Sequence, residues 1–283
     1  MPVATTPQTK PLVSELDVAG LTHPGKVRAK NADHFLVASF HRAMHVLASS
    51  VAGDLQPMSD DSRGVVMLVA DGVGGLAHAA DGSEQAIISV ARYLMSMSEI
   101  SLQTDPDRAD LVIERLRTAM ATAHQSLLDL SDSAGEVGTA ATTLTIAFAV
   151  WPRMFLMHAG DSRFYRMRAG ELTRLTIDQT MAQVMIDAGA MSRETAEMSR
   201  LKNVLVSAVG SPQLDPQVEM FELRRGDISF LCTDGLTRHV TDDEIADRLR
   251  GGGTSDAICR DLVDLALSRG GLDNVTVVVL KRR

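Results

Sequence analysis

Short apolar runs bounded by aspartates punctuate this chain. Residues 65–70 lead into Asp71, residues 155–160 into Asp161 and residues 228–233 into Asp234, while Asp273 precedes an apolar run at 275–280. These runs are rich in β-branched residues and far shorter than the ~18 residues of a membrane-spanning helix, so they predict buried strands. Residues 15–22 and 34–39 predict strands flanking a turn at Pro24-Gly25, and residues 44–48 a third; 142–150 continues the pattern. Residues 164–167 and 171–175 predict a hairpin around Ala169-Gly170.

Helical spacing takes over elsewhere. Residues 77–97 predict one helix and residues 107–130 a second, its apolar stripe formed by Leu111, Ile113, Leu116, Met120, Ala123, Leu127 and Leu130. Thr180 is placed to cap a helix over 181–188, and Ser192 to start a shorter one. Thr241-Asp242-Asp243-Glu244 matches a capping box, and Ser255 is expected to cap a last helix running to about residue 268 before the final strand. Residues 53–64 read as a polar loop. Strands, a helix pair, more strands and then helices imply α+β with antiparallel sheets, not a doubly wound parallel sheet. The expected organisation is a flexible tail over 1–13 and one domain over 14–283.

Composition narrows the classes. Hydrophobic residues make up 45% of 283 and charged residues 23%, the profile of a soluble globular protein. A formal charge of -8 disfavours general nucleic-acid binding, so a phosphate-bearing partner must be met by local positive charge or metal. Neither a secretory signal nor a spanning segment is visible, and a cytoplasmic protein without membrane attachment is expected. Cys232 and Cys259 offer neither a disulfide framework nor zinc spacing and read as small buried hydrophobes.

The aspartates carry the chemistry. A carboxylate where a strand meets a loop is costly unless its charge is offset, and several at one sheet edge repel one another. A hard divalent cation with oxygen ligands removes both problems. Asp71-Gly72-Val73-Gly74-Gly75 permits close backbone approach to a ligand, but neither a dinucleotide fingerprint nor a P-loop lysine accompanies it. Arg28, five residues before Asp33, offers a fork suited to phosphate oxygens.

Six segments in order, R-A-K-N-A-D at 28–33, D-G-V-G-G at 71–75, G-T-A-A-T-T-L at 138–144, G-D-S-R at 160–163, D-G-L at 234–236 and G-L-D-N-V-T at 271–276, resemble the metal-dependent protein phosphatases of the 2C type. The resemblance implies a four-layer α-β-β-α sandwich with a dinuclear Mn2+ or Mg2+ centre at one end. It implies that Asp33, Asp71 and the Gly72 carbonyl bind metal, with Asp71 bridging both ions, and that Asp234 and Asp273 hold the other. Arg28 would bind substrate phosphate, Asn274 would support Asp273, and Asp161 would help hold a weaker third ion. Residues 180–201 would form the variable flap. The implied reaction is hydrolysis of phosphoserine and phosphothreonine in proteins phosphorylated by a Ser/Thr kinase, by in-line attack of a water bridging the two ions.

Four positions depart from the family pattern. Ala32 replaces a Glu or Gln, Val73 a His carried by some members, Gln179 a common His, and Arg238 a second acid for the third ion. Ala32 and Arg238 sustain a rival expectation, a pseudophosphatase that binds phosphoproteins without turnover. Hydrolysis of a small phosphorylated metabolite is a third reading.

Overall fold

The computed structural model describes residues 15–40, 44–50, 64–73, 78–96, 109–133 and 140–282. The expected tail over 1–13, most of the polar loop at 53–64, Gly74-Gly75 and Gly138-Thr139 lie outside them.

Among the described residues, eleven strands and seven α-helices follow in chain order. They begin with β1 (Leu16–His23), β2 (Asp33–Phe40), β3 (Met44–Ser49), β4 (Gly64–Asp71), α1 (Ala79–Ser96) and α2 (Ala109–Ser133). Next come β5 (Leu144–Val150), β6 (Arg153–Ala159), β7 (Arg163–Arg168), β8 (Glu171–Arg174), α3 (Met181–Asp187) and α4 (Arg193–Met198). The chain closes with β9 (Gln217–Glu222), β10 (Ile228–Cys232), α5 (Asp234–Thr237), α6 (Asp242–Arg250), α7 (Ser255–Ser268) and β11 (Val275–Arg282). One sheet has the order β1-β11-β10-β7-β8 and the other β3-β2-β4-β5-β6-β9, with every pairing antiparallel.

Alternation along the strands builds the layers. Leu36, Ala38 and Phe40 of β2, with Val66, Leu68 and Ala70 of β4, pack against Ile87, Val90 and Leu94 of α1 and Leu116, Met120 and Leu127 of α2. The opposite faces, carrying Phe35, Val37, Val65, Met67 and Val69, meet Phe164, Leu231, Val278 and Leu280 of the second sheet. That sheet turns Tyr165, Phe230, Val277 and Val279 outward onto Ile245, Leu249, Leu262 and Val263 of α6 and α7. Burial on both faces explains why the strands are continuously apolar. The result is the expected α+β, α-β-β-α sandwich.

Several local expectations shift. The buried track of α2 is Val112, Leu116, Ala119, Met120, Ala123 and Leu127, whereas Leu111 is 37% exposed. The i, i+4, i+7 spacing from Val112 sets that face. Thr254, not Ser255, caps α7: its hydroxyl accepts the Ala257 N–H at 3.2 Å, while Ser255 Oγ donates to the Asp17 carbonyl at 2.7 Å. Both halves of the α6 capping box form. In the β7–β8 turn Ala169 and Gly170 both adopt positive φ, 50° and 82°, the geometry that a two-residue hairpin of matching twist requires. No described helix is long and apolar enough to cross a membrane.

Candidate metal centre

Asp33 opens β2, Asp71 ends β4, and the two are direct partners in the β2–β4 ladder, so their side chains leave the same face. Asp33 is 1% exposed. Its Oδ2 accepts hydrogen bonds from Thr233 Oγ1 and Thr276 Oγ1, both at 2.8 Å, while its Oδ1 has no hydrogen-bond partner. Burial pushes the Asp33 carboxyl up to about 7, against the pull of both threonines. Asp71 is fixed by its backbone: its N–H donates to Thr143 Oγ1 at 3.0 Å, and its carbonyl accepts from Thr142 Oγ1 at 2.8 Å. Burial, then repulsion from Asp33 and Asp234, raises its carboxyl well above the usual range. Thr142 and Thr143, just before β5, therefore hold Asp71 in place.

Asp234 and Asp273 come from the other sheet. Asp234 is the first residue of α5, a one-turn helix that strand periodicity does not reveal, and Asp273 lies two residues before β11. The two turns touch so closely that a Cβ on Gly235 would stand 1.8 Å from the Asn274 carbonyl oxygen; only glycine fits there. Burial, only partly offset by Arg238, raises the Asp234 carboxyl. Burial also opposes ionisation of Asp273, but the Arg28 hydrogen bonds and the Arg238 charge outweigh it and hold its carboxyl below the ordinary range.

Arg28, Asp71, Gly72, Asp161, Asp234, Asp273 and Asn274 line one pocket of about 970 Å³, with Asp33 buried beside Asp71. The elements bring the expected site residues together, but not in a ligating arrangement. Among the described residues no three acidic, histidine or cysteine side chains surround a common point. The carboxylates face arginines instead. Arg28 Nε and Nη2 donate to Asp273 Oδ1 and Oδ2 at 2.7 and 2.8 Å. Arg238 donates to Asp273 Oδ2 at 2.7 Å and to Asp234 Oδ2. The donor set nonetheless suits a hard divalent cation: oxygen atoms only, several carboxylates within mutual repulsion, and an orphaned buried oxygen on Asp33.

Asn274 donates its backbone N–H to Asp273 Oδ1 at 3.0 Å. It also braces the Arg28 loop: Oδ1 accepts the Ala32 N–H at 2.8 Å, and Nδ2 donates to the Pro24 and Lys30 carbonyls at 2.9 and 3.0 Å. Gln179, to which sequence reasoning assigns nothing, pins the Asp161 turn. Its Oε1 accepts the Gly160 N–H at 3.0 Å and its Nε2 donates to the Asp215 carbonyl at 2.8 Å. Sequence reasoning assigns no role to Thr233 or Thr276 either, although Thr233 ends an apolar run and Thr276 closes the G-L-D-N-V-T motif. Arg163 of G-D-S-R is committed to Asp178, at 2.7 Å. Asp161 lines the pocket, and burial, then repulsion from Asp234 and Asp178, raises its carboxyl.

Residues 45–261 match the family described as Protein phosphatase 2C. The chain belongs to the protein phosphatase 2C family. It is 34% identical over 214 residues to the serine/threonine protein phosphatase PstP of Mycobacterium tuberculosis, a match that covers 76% of this chain and 40% of that relative. The chain thus matches less than half the length of that relative. Protein phosphatase PhpP of Streptococcus pneumoniae is 28% identical over 220 residues, covering 76% of this chain and 85% of its own. Among solved structures, the PstP catalytic domain in complex with two manganese ions superposes with a TM-score of 0.72 at 29% identity, covering 94% of this chain and 97% of that one. A serine/threonine phosphatase of S. agalactiae, 24% identical, shares the fold with a TM-score of 0.79 over 95% of this chain and all of its own. Elements of both sheets thus bring Asp71, Asp234, Asp273 and Arg28 to one pocket, with Asp33 buried beside its ladder partner Asp71.

Proposed function

We propose that this 2C-type protein is a metal-dependent phosphatase that hydrolyses phosphoserine and phosphothreonine in proteins phosphorylated by a Ser/Thr kinase. The observation that carries the reading is the convergence of Asp71, Asp234 and Asp273 beside Arg28, with Asp33 paired to Asp71 and its Oδ1 buried and unpartnered. Asp33, Asp71, Asp234, Asp273 and the Gly72 carbonyl would hold two Mn2+ or Mg2+ ions. When bound, such ions supply an activated water and stabilise charge during in-line displacement at phosphorus.

The chain's own residues prepare that reaction. Arg28 sits in the pocket with a planar fork matched to two phosphate oxygens. Thr233 and Thr276 fix one Asp33 oxygen, leaving the other free to ligate. Thr142 and Thr143 hold the Asp71 backbone, which limits reorganisation when ligands bind. The segment at 180–201 carries α3 and α4 and leads into Asn203, Val204 and Leu205 on the pocket wall, where a flap would meet substrate. Asp161 would serve a third ion only weakly, because the Arg238 charge acts on it. Two buried free thiols fit a reducing compartment such as the cytoplasm.

The test is hydrolysis of p-nitrophenyl phosphate and a phosphothreonine peptide with Mn2+, Mg2+ or chelator. Turnover that needs the metal and is lost in Asp71→Asn and Asp234→Asn supports the reading. Well-folded protein without metal-dependent turnover overturns it. The ion pairs that Arg28 and Arg238 make with Asp273 and Asp234 favour a second reading, a pseudophosphatase that binds phosphoproteins. Phosphopeptide binding without turnover at saturating Mn2+ distinguishes it.

A further inference from the structure

Arg238 holds two carboxylates at once. Its Nη1 donates to Asp273 Oδ2 at 2.7 Å and its Nη2 to Asp234 Oδ2, so one guanidinium bridges acids from α5 and from the loop before β11. Both acids have side chains only 16% exposed, and Arg238 is one-third exposed. Neither end of this bridge is loose. The Arg238 N–H bonds the Asp234 carbonyl at 2.9 Å, and the α5 turn lies against the Asn274 carbonyl at a distance that admits no side chain on Gly235.

Asp273 has no oxygen to spare. Its Oδ1 accepts from Arg28 Nε at 2.7 Å and from the Asn274 N–H at 3.0 Å, and its Oδ2 accepts from Arg28 Nη2 and Arg238 Nη1. A carboxylate carries about four lone-pair positions, and these four donors fill them. A divalent ion at Asp234 and Asp273 must therefore displace a guanidinium already in place. Two cations cannot share these oxygens at contact distance without repulsion. The feature is specific to position 238: Arg28 reaches Asp273 alone, whereas Arg238 spans the very pair that would hold one ion.

We propose that Arg238 is an intramolecular counter-cation that competes with a divalent ion for Asp234 and Asp273. The inference rests on the dinuclear reading of the pocket and adds to it that metal loading at this half of the centre is coupled to release of one arginine. Arg238 then acts as a positioning residue with two stations, on the carboxylates or free in the pocket that it lines. Linkage makes the effect reciprocal: what holds Arg238 on the acids weakens the ion, and the ion frees Arg238.

The experiment is a Mn2+ titration by isothermal calorimetry on the full chain, with melting temperatures measured in chelator and in Mn2+. Wild type is compared with Arg238→Gln, Arg238→Met and Arg238→Lys; Met retains an apolar stem if Gln fails to fold. The expected result is that either neutral variant binds the weaker Mn2+ at least about tenfold more tightly, as removal of a neighbouring like charge predicts. Its melting temperature in chelator should fall and its Mn2+-induced rise should grow, while Arg238→Lys stays near wild type because it keeps the charge. Unchanged affinity in both neutral variants, or equal tightening in Arg238→Lys, overturns the inference. If wild type binds no Mn2+ and a neutral variant does, competition is supported; if neither binds, the inference fails together with the metal reading. If Asp71→Asn and Asp234→Asn abolish Mn2+ binding while the Arg238 variants leave it unchanged, Arg238 alone loses its role and the centre stands.

Discussion

Arg28 grips Asp273 with two parallel hydrogen bonds of 2.7 and 2.8 Å across 245 positions of sequence. The same fork is the one proposed to bind substrate phosphate, so phosphate and Asp273 draw on one set of donors. Arg28→Ala should raise KM for a phosphothreonine peptide about 10- to 100-fold, the range expected when hydrogen bonds to a charged group are lost, with a smaller change in kcat. Arg28→Lys should recover only part, since a point charge replaces a planar fork. Steady-state kinetics at saturating Mn2+ checks both.

Thr233 and Thr276 should matter for metal binding without touching the ion. Each donates to Asp33 Oδ2, and the Thr276 N–H donates to Thr233 Oγ1 at 3.0 Å, so the three residues form one buried network. Thr233→Val or Thr276→Val is expected to weaken Mn2+ binding about tenfold, the lower end of what outer hydrogen-bond partners contribute. Calorimetric titration reads the change, and an unaltered affinity would show that Asp33 needs no such bracing.

Asn274 ties three backbone groups of the 24–32 segment to the start of β11. Asn274→Ala removes all three hydrogen bonds and is expected to cost about 2–3 kcal/mol, roughly 1 kcal/mol each. Urea denaturation gives the stability change. Phosphopeptide KM should rise with it, because Arg28 lies within the released segment.

His158, which does not line the pocket, supplies a pH signature of its own. It is fully buried, its Nδ1 pairs with Thr145 Oγ1 at 2.8 Å, and its Nε2 has no partner. Burial lowers its pKa from 6.5 to about 4. Between those values the unfolded chain binds the extra proton, so stability present above pH 6.5 is lost as the pH falls toward 4. The loss from this residue is at most about 3 kcal/mol, because each tenfold difference in proton affinity between the folded and unfolded chain is worth about 1.4 kcal/mol. His158→Asn should flatten that part of the profile when urea unfolding at pH 7.5 and pH 4.5 is compared with wild type.

Elements of strong period are legible in the sequence. Val65 to Ala70 and the run at 275–280 announce buried strands because both faces of each strand meet a packed layer. The hairpin at Ala169-Gly170 and the capping box at Thr241 are legible for a similar reason, since turn and cap chemistry is local. The short helix at Asp234 is not, because four residues carry too little periodicity to register. The α7 cap moves by one residue because Ser255 and Thr254 are equally able caps, and the choice falls to Asp17, 238 positions away.

Sequence alone was sufficient for the α+β class and the antiparallel strands, since hydrophobic period is written along the chain, and motif order singles out Arg28, Asp71, Asp234 and Asp273, which folding brings to one pocket. Folding was needed to set Thr233 against Asp33 across 200 positions, to turn Asn274 onto the Arg28 loop, and to lay Arg238 across Asp234 and Asp273. The physical reason is range. Burial and helix caps are satisfied within a few residues, whereas a buried carboxylate takes whatever donor the packed sheets bring to it, and no local pattern records which one that will be.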